Sequence, residues 1–129
     1  MIVLDASAAF EVLLRTNTGV WIAARLKDAT LVHAPYLLDV EVASSLRRGA
    51  ALKEFSAGRA LQALSDLRIL RIQRHPHLPH IERIWELRHN FTAYDACYLA
   101  LTEALDATLL TRDRELAAAR LRRGNVELI

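Results

Sequence analysis

Two lysines, four glycines, three prolines and one cysteine are all that the 129 residues hold of those types. A lone thiol, Cys97, excludes an intrachain disulfide and fits a reducing compartment. Neither GxGxxG nor GxxxxGK(S/T) occurs, which argues against a dinucleotide enzyme or a P-loop NTPase. No apolar run is long enough to span a bilayer, and the opening MIVLDAS is far too short for a signal peptide. A cytoplasmic protein with no membrane partner is therefore expected. The chain shows no repeat, linker or low-complexity segment, so one domain over residues 1–129 is expected, large enough to enclose a core unaided.

The shortage of lysine has a counterpart: 15 of the 17 basic residues are arginine, whose planar fork suits bidentate phosphate recognition. The net charge is only +2, with an isoelectric point near 9.0, which permits nucleic-acid binding without demanding it. The three histidines of HPHLPH fit no compact zinc spacing and have no cysteine partners, so a surface loop is expected there. Trp21 and Trp85 sit among apolar helical positions and are expected in the core or at an interface.

Short apolar runs alternate with longer helical patterns. Strands are predicted at 2–4, 30–33, 69–72, 107–111 and 126–129, and helices at 7–15, 19–27, 35–52, 56–67, 78–89, 92–104 and 114–119. RHPHLPH, Arg74 to His80, reads as a connection because of its two prolines. Strands alternating with helices predict an α/β fold, a three-layer α/β/α sandwich around a mostly parallel sheet. Such sheets bind ligands at the carboxyl ends of their strands.

Three acids fall at that edge. Asp5 follows IVL directly, Asp113 closes ATLLTRD, and Asp95 sits in the first turn of the helix leading into that strand. The helix carries the chain about 20 Å one way, and the strand brings it about 17 Å back, returning Asp113 to the end where Asp95 lies. Each acid has a local explanation too. Thr92 and Asp95 form a variant capping box, in which Thr92 caps the helix and Asp95 caps back. Asp5 suits an N-cap. These local roles do not require all three to face one crevice. Glu41 is a fourth candidate: on a helical wheel it falls between Leu37 and Leu38, whereas Asp39 falls beside Leu46, so the wheel favours Glu41 modestly over Asp39.

Four carboxylates at one crevice repel one another unless cations bind. All-oxygen donors suit Mg²⁺ or Mn²⁺ rather than zinc. Such ions support phosphodiester hydrolysis without a covalent nucleophile, and Arg47, Arg48, Arg112 and Arg114 are placed to hold a polyanionic backbone.

The order and spacing of IVLDAS, DVEVASSLRR, NFTAYDACYLALTEAL and ATLLTRD give the chain a resemblance to PIN-domain proteins, more narrowly to the VapC-type toxins of bacterial toxin–antitoxin pairs. The resemblance spans essentially the whole chain. It implies a Mg²⁺- or Mn²⁺-dependent endoribonuclease with Asp5, Glu41, Asp95 and Asp113 as catalytic and metal-binding acids, which settles Glu41 over Asp39. Ser7 and Thr92 match small polar residues that support such sites, and Glu115 stands where the family often has an accessory acid. It also implies a homodimer, a cognate VapB-type antitoxin, a structured RNA substrate such as tRNA or ribosomal RNA, and inhibition of translation. A PIN-like module that binds RNA or a partner without cutting is the alternative. A receiver or phosphatase on a similar sheet fits poorly: DAS lacks the second Asp of a DxD start, and no Lys follows a late strand.

Overall fold

The computed structural model describes residues 1–129. β1, Ile2–Leu4, is fully buried. It pairs in parallel with β2, Val32–Pro35, on one side and with β4, Thr108–Thr111, on the other. β3, Gln73–His75, and β5, Asn125–Leu128, complete a five-stranded, wholly parallel sheet in the order β3-β2-β1-β4-β5. The helices are α1, Ala6–Leu14; α2, Asn17–Asp28; α3, Leu37–Ala51; α4, Ala57–Ile69; α5, Ile81–Glu86; α6, Ala93–Leu105; and α7, Arg114–Ala117. Helices α1 to α4 pack on one another and on β2 and β4, while α5 and α6 form a second group over the central strands. The three-layer sandwich expected from the alternation of elements is thus present, and no helix is long and apolar enough to cross a membrane.

The third strand lies elsewhere than predicted. The apolar run ILRI at 69–72 reads as a strand, yet Ile69 ends α4 with its side chain exposed, and the ladder is made by Gln73, Arg74 and His75. β3 therefore takes the first two residues of the predicted RHPHLPH connection. An edge strand pairs on one side only, so it needs no apolar run to be stable. β3 has a special partner in β2: His33 is buried, and its Nδ1 lies 2.9 Å from Nε2 of His75.

Both imidazoles are held below the ordinary histidine range, first by burial and then by a positive neighbour: His75 for His33, His80 for His75. The sign of the effect follows. Below the ordinary range the unfolded chain takes up protons that the folded chain resists, so stability is lost as pH falls. We expect the urea midpoint to drop as pH falls from about 7.5 to about 6.0. His75→Gln should flatten that dependence, whereas equal slopes in both proteins would contradict the assignment.

A close helix crossing sets the geometry of α1. At Gly19 in α2, an added Cβ would stand 1.9 Å from the backbone oxygen of Glu11. Backbone cannot yield as a side-chain tip can, so Gly19→Ala should cost about 2–3 kcal/mol, read from the thermal midpoint.

The tryptophans do not enter the core: Trp21 is 48 % and Trp85 67 % exposed. Each instead carries an arginine over its ring, Arg25 at 5.6 Å and Arg88 at 4.6 Å, the latter well placed for a cation–π contact.

A candidate acidic active site at the carboxyl edge of the sheet

In the order β3-β2-β1-β4-β5, the chain reverses its direction of progress between β1 and β4. The crevice beyond their carboxyl ends is where such sheets bind ligands. Asp5 and Asp113 follow those two strands. Asp5 is only 5 % exposed and is the N-cap of α1, accepting the Ala8 backbone N–H at 2.8 Å. The Ser7 hydroxyl donates to it at 2.7 Å and the Thr111 hydroxyl at 2.5 Å. Burial nonetheless wins over these donors and holds the Asp5 carboxyl above its ordinary range, with Asp113 adding repulsion.

Thr111 was not legible as a site residue, yet it joins two of the acids. Its hydroxyl donates to Asp5 and accepts the Asp113 backbone N–H at 3.0 Å. Asp113 in turn caps the short α7, accepting N–H bonds from Glu115 at 2.7 Å and Leu116 at 3.2 Å through one oxygen. Its second oxygen is left free of protein donors. Glu115, the second residue of α7, is exposed.

Across the crevice, α3 supplies Glu41 and α6 supplies Asp95. The competing acid, Asp39, is gripped by the Arg74 guanidinium at 2.8 Å through both oxygens. Glu41 has no such partner. It is half-buried and accepts a 2.5 Å hydrogen bond from the Tyr98 hydroxyl, a partner that the pattern of α6 did not single out. Burial raises Glu41 above its ordinary range, and the charges of Asp5 and Asp95 raise it further. Burial and the Glu41 charge push the Tyr98 phenol strongly up, so it stays a neutral donor.

Asp95 is half-buried at the open end of α6, which becomes buried only from its second turn. The capping box is half formed. Thr92 accepts the Asp95 backbone N–H at 3.1 Å, while the Asp95 carboxylate accepts from the Thr92 hydroxyl at 2.8 Å instead of reaching back to the backbone. Ser7 and Thr92 thus both serve as hydrogen-bonding support for an acid. The truly buried carboxylate of α6 is Glu103, which lies at the helix's other end against Arg83.

Electrostatically the four acids form a row: Asp113 acts on Asp5, and both Asp5 and Asp95 act on Glu41. They do not close into a tight cage of three or more ligands. None of them belongs to any of the chain's ion pairs, which engage Glu11, Asp39, Asp66, Glu86, Glu103 and Glu127 instead. A row of all-oxygen donors outside any ion pair, with Asp5 and Glu41 desolvated and Asp113 open to solvent, fits a hard divalent cation that keeps part of its water shell. Arg112 approaches without neutralising the row: its backbone N–H donates to Ser7 at 2.9 Å and its guanidinium turns to Glu11 at 2.7 Å.

A parallel sheet with acids at its switch point places the chain among the α/β proteins that bind ligands at a sheet edge, and sequence narrows this to one family. The chain belongs to the PIN-domain family, whose model matches residues 2–121. Among curated proteins it is similar to ribonuclease VapC9 of Mycobacterium tuberculosis, 46% identical over 117 residues, covering 91% of this chain and 89% of that protein. Among solved structures it shares its fold with M. tuberculosis VapC20, described as a sarcin–ricin loop cleaving toxin. That match has a TM-score of 0.67 and 18% identity, covering 94% of this chain and 96% of that one. It also shares its fold with a chain of VapBC2 from Rickettsia felis, solved bound to a fragment of its promoter DNA. Here the TM-score is 0.63 and the identity 15%, covering 100% of this chain and 99% of that one.

Proposed function

We propose that the protein is a divalent-metal-dependent endoribonuclease and the toxin of a VapBC-type pair. The observation that carries the reading is the row Asp113, Asp5, Glu41 and Asp95 at the switch point of the sheet, none of it in an ion pair and with Asp5 and Glu41 desolvated. Its support from relationship is the 46% identity to a named ribonuclease over 91% of the chain.

Each acid has a distinct part. Asp5, fixed by Ser7, Ala8 and Thr111, is the rigid ligand. Asp95 and the free oxygen of Asp113 would help hold the ion, directly or through water. Glu41 has one oxygen committed to Tyr98 and the other open to the crevice. Its raised pKa suits it to take a proton from an attacking water. Mg²⁺ or Mn²⁺ bound there supplies the positive charge that acidifies such a water and stabilises charge developing on the phosphoryl oxygens.

The remaining parts of the reading are the partners. A VapB-type antitoxin is supported by the shared fold with a VapBC complex, a homodimer and a tRNA substrate by the family resemblance, and a ribosomal RNA substrate also by the description of VapC20 as a sarcin–ricin loop cleaving toxin. Cutting either RNA would inhibit translation. The test is incubation of the purified protein with total tRNA and with ribosomal RNA. Discrete cleavage in Mg²⁺ or Mn²⁺ that stops in EDTA is the expected result. Cleavage indifferent to EDTA would sink the metal-dependent mechanism, and RNA binding without cleavage would favour the silent PIN-like module.

A further inference from the structure

Beside the acidic row, between α1 and α3, lies a polar cleft of about 420 Å³. Ser7 and Glu11 of α1, Ser45 and Arg48 of α3, Glu54 beyond α3 and Arg112 beyond β4 line it. Its position follows from Ser7, which belongs to both places. The Ser7 hydroxyl donates to Asp5 at 2.7 Å and accepts the Arg112 backbone N–H at 2.9 Å. A group seated in the cleft is therefore one side chain away from the acids.

The two arginines are prepared differently. Arg112 is held at 2.7 Å by one oxygen of Glu11, whose other oxygen receives the Thr16 hydroxyl. Glu11 is thus saturated from within the protein, and it aims Arg112 while leaving most of the guanidinium N–H groups free. Arg48 is exposed and takes part in none of the chain's ion pairs. With two guanidinium groups and two carboxylates around it, the cleft lacks the surplus positive charge that gathers polyanions indiscriminately. It suits one phosphate bracketed by Arg48 and Arg112, with the Ser45 hydroxyl as a further donor.

We infer that this cleft is a nucleotide subsite, in which Arg48 and Arg112 hold the RNA phosphate next to the scissile one and so direct the strand across Ser7 onto the acids. The inference rests on the ribonuclease reading and specifies it: of the four arginines near the site, Arg48 and Arg112 set the path, not Arg47 and Arg114. Arg48 dominates, because Glu11 offsets part of the charge of Arg112. These are positioning residues, acting on substrate placement and not on the reacting atoms.

The test separates binding from cutting. Anisotropy of a labelled single-stranded oligoribonucleotide of mixed sequence is measured in EDTA over a range of NaCl concentrations. The proteins compared are wild type, Arg48→Gln, Arg112→Gln and Arg71→Gln. Arg71 is an exposed control just before β3, at the opposite end of the sheet. Arg48→Gln should raise Kd about three- to tenfold and reduce the slope of log K against log salt by about 0.7, the loss of one single-strand phosphate contact. Arg112→Gln should act in the same direction, with a melting curve confirming that loss of its Glu11 contact leaves the fold intact. With Mg²⁺ or Mn²⁺ restored, Arg48→Gln should raise KM more than it lowers kcat. If wild type binds and Arg48→Gln matches Arg71→Gln in both Kd and slope, the subsite is overturned and the ribonuclease reading stands. If wild type does not bind in EDTA yet cuts RNA with the metal restored, the subsite is overturned and the ribonuclease reading stands; if it neither binds nor cuts, the reading beneath it falls as well.

Discussion

Asp5→Asn should abolish RNA cleavage and at the same time make the metal-free protein more stable. The two effects share one cause. Asp5 is desolvated between β1 and β4, and burial disfavours its charge even though Ser7, Ala8 and Thr111 all donate to it. Asparagine keeps the N-cap of α1, since its side-chain oxygen accepts from a backbone N–H as well as aspartate does. It removes the buried charge but also the ligand. We expect cleavage to fall by about 10³-fold or more, the scale for removing a group that stabilises transition-state charge. The metal-free variant should gain roughly 0.5–2 kcal/mol, as when a functional site is relieved of strain.

The pH dependence carries the sign. A carboxyl held above its ordinary range binds a proton more readily folded than unfolded, so wild-type stability is greater below the raised pKa and declines as pH climbs through the window above the ordinary value of 3.8. Asp5→Asn should lose that decline. A variant that is inactive and also less stable would mean that Asp5 is chiefly a structural cap.

The largest stability loss should come from a carboxylate outside the site. Glu103, 9 % exposed near the end of α6, binds Arg83 through both oxygens at 2.7 and 2.8 Å and accepts the Arg122 backbone N–H at 2.9 Å. Burial alone would raise its pKa, but the Arg83 hydrogen bonds and the Arg122 contacts outweigh burial and set it below the usual range. Arg83 and Arg122 also meet on Glu86, so the network ties α5, α6 and the approach to β5 together. Glu103→Ala leaves the mostly buried Arg83 guanidinium with only the exposed Glu86 as a carboxylate partner, which costs about 3 kcal/mol, the lower end for breaking a buried pair. A domain of this size has only about 5–15 kcal/mol in all. The double change Glu103→Leu with Arg83→Met should recover most of the loss, because it removes both charges together. The measurement is urea unfolding of the three proteins. A loss below about 1 kcal/mol in Glu103→Ala would place the pair with ordinary surface bridges.

These residues also mark what the sequence exposes and what it hides. β1 and Asp5 were readable because a central strand must be apolar throughout and its capping acid follows at once. Thr92 and Asp95 were readable because capping is local. The choice between Glu41 and Asp39 was not a local matter. Both lie on α3, and what separates them is a tertiary partner: Arg74, brought alongside by β3, takes Asp39, while Tyr98 of α6 faces Glu41. β3 itself was misplaced because Gln73, Arg74 and His75 form an edge strand, whose stability comes from pairing with β2 and not from apolar burial. Glu103 and Thr111 were invisible for the same kind of reason: their partners Arg83 and Asp5 are 20 and 106 residues away. The arrangement of the acids into a row is likewise tertiary, since it depends on α3 and α6 flanking the ends of β1 and β4.

A divalent-cation site at this row should show itself in calorimetric titration of Mn²⁺ and Mg²⁺ into the metal-free protein. Wild type should give a saturable isotherm, with a thermal midpoint that rises with metal as binding to the folded state requires. Asp5→Asn and Asp95→Asn should bind at least about tenfold more weakly, with midpoints that no longer respond. A wild-type isotherm that both substitutions leave unchanged, or a protein that takes up neither ion, would contradict the account.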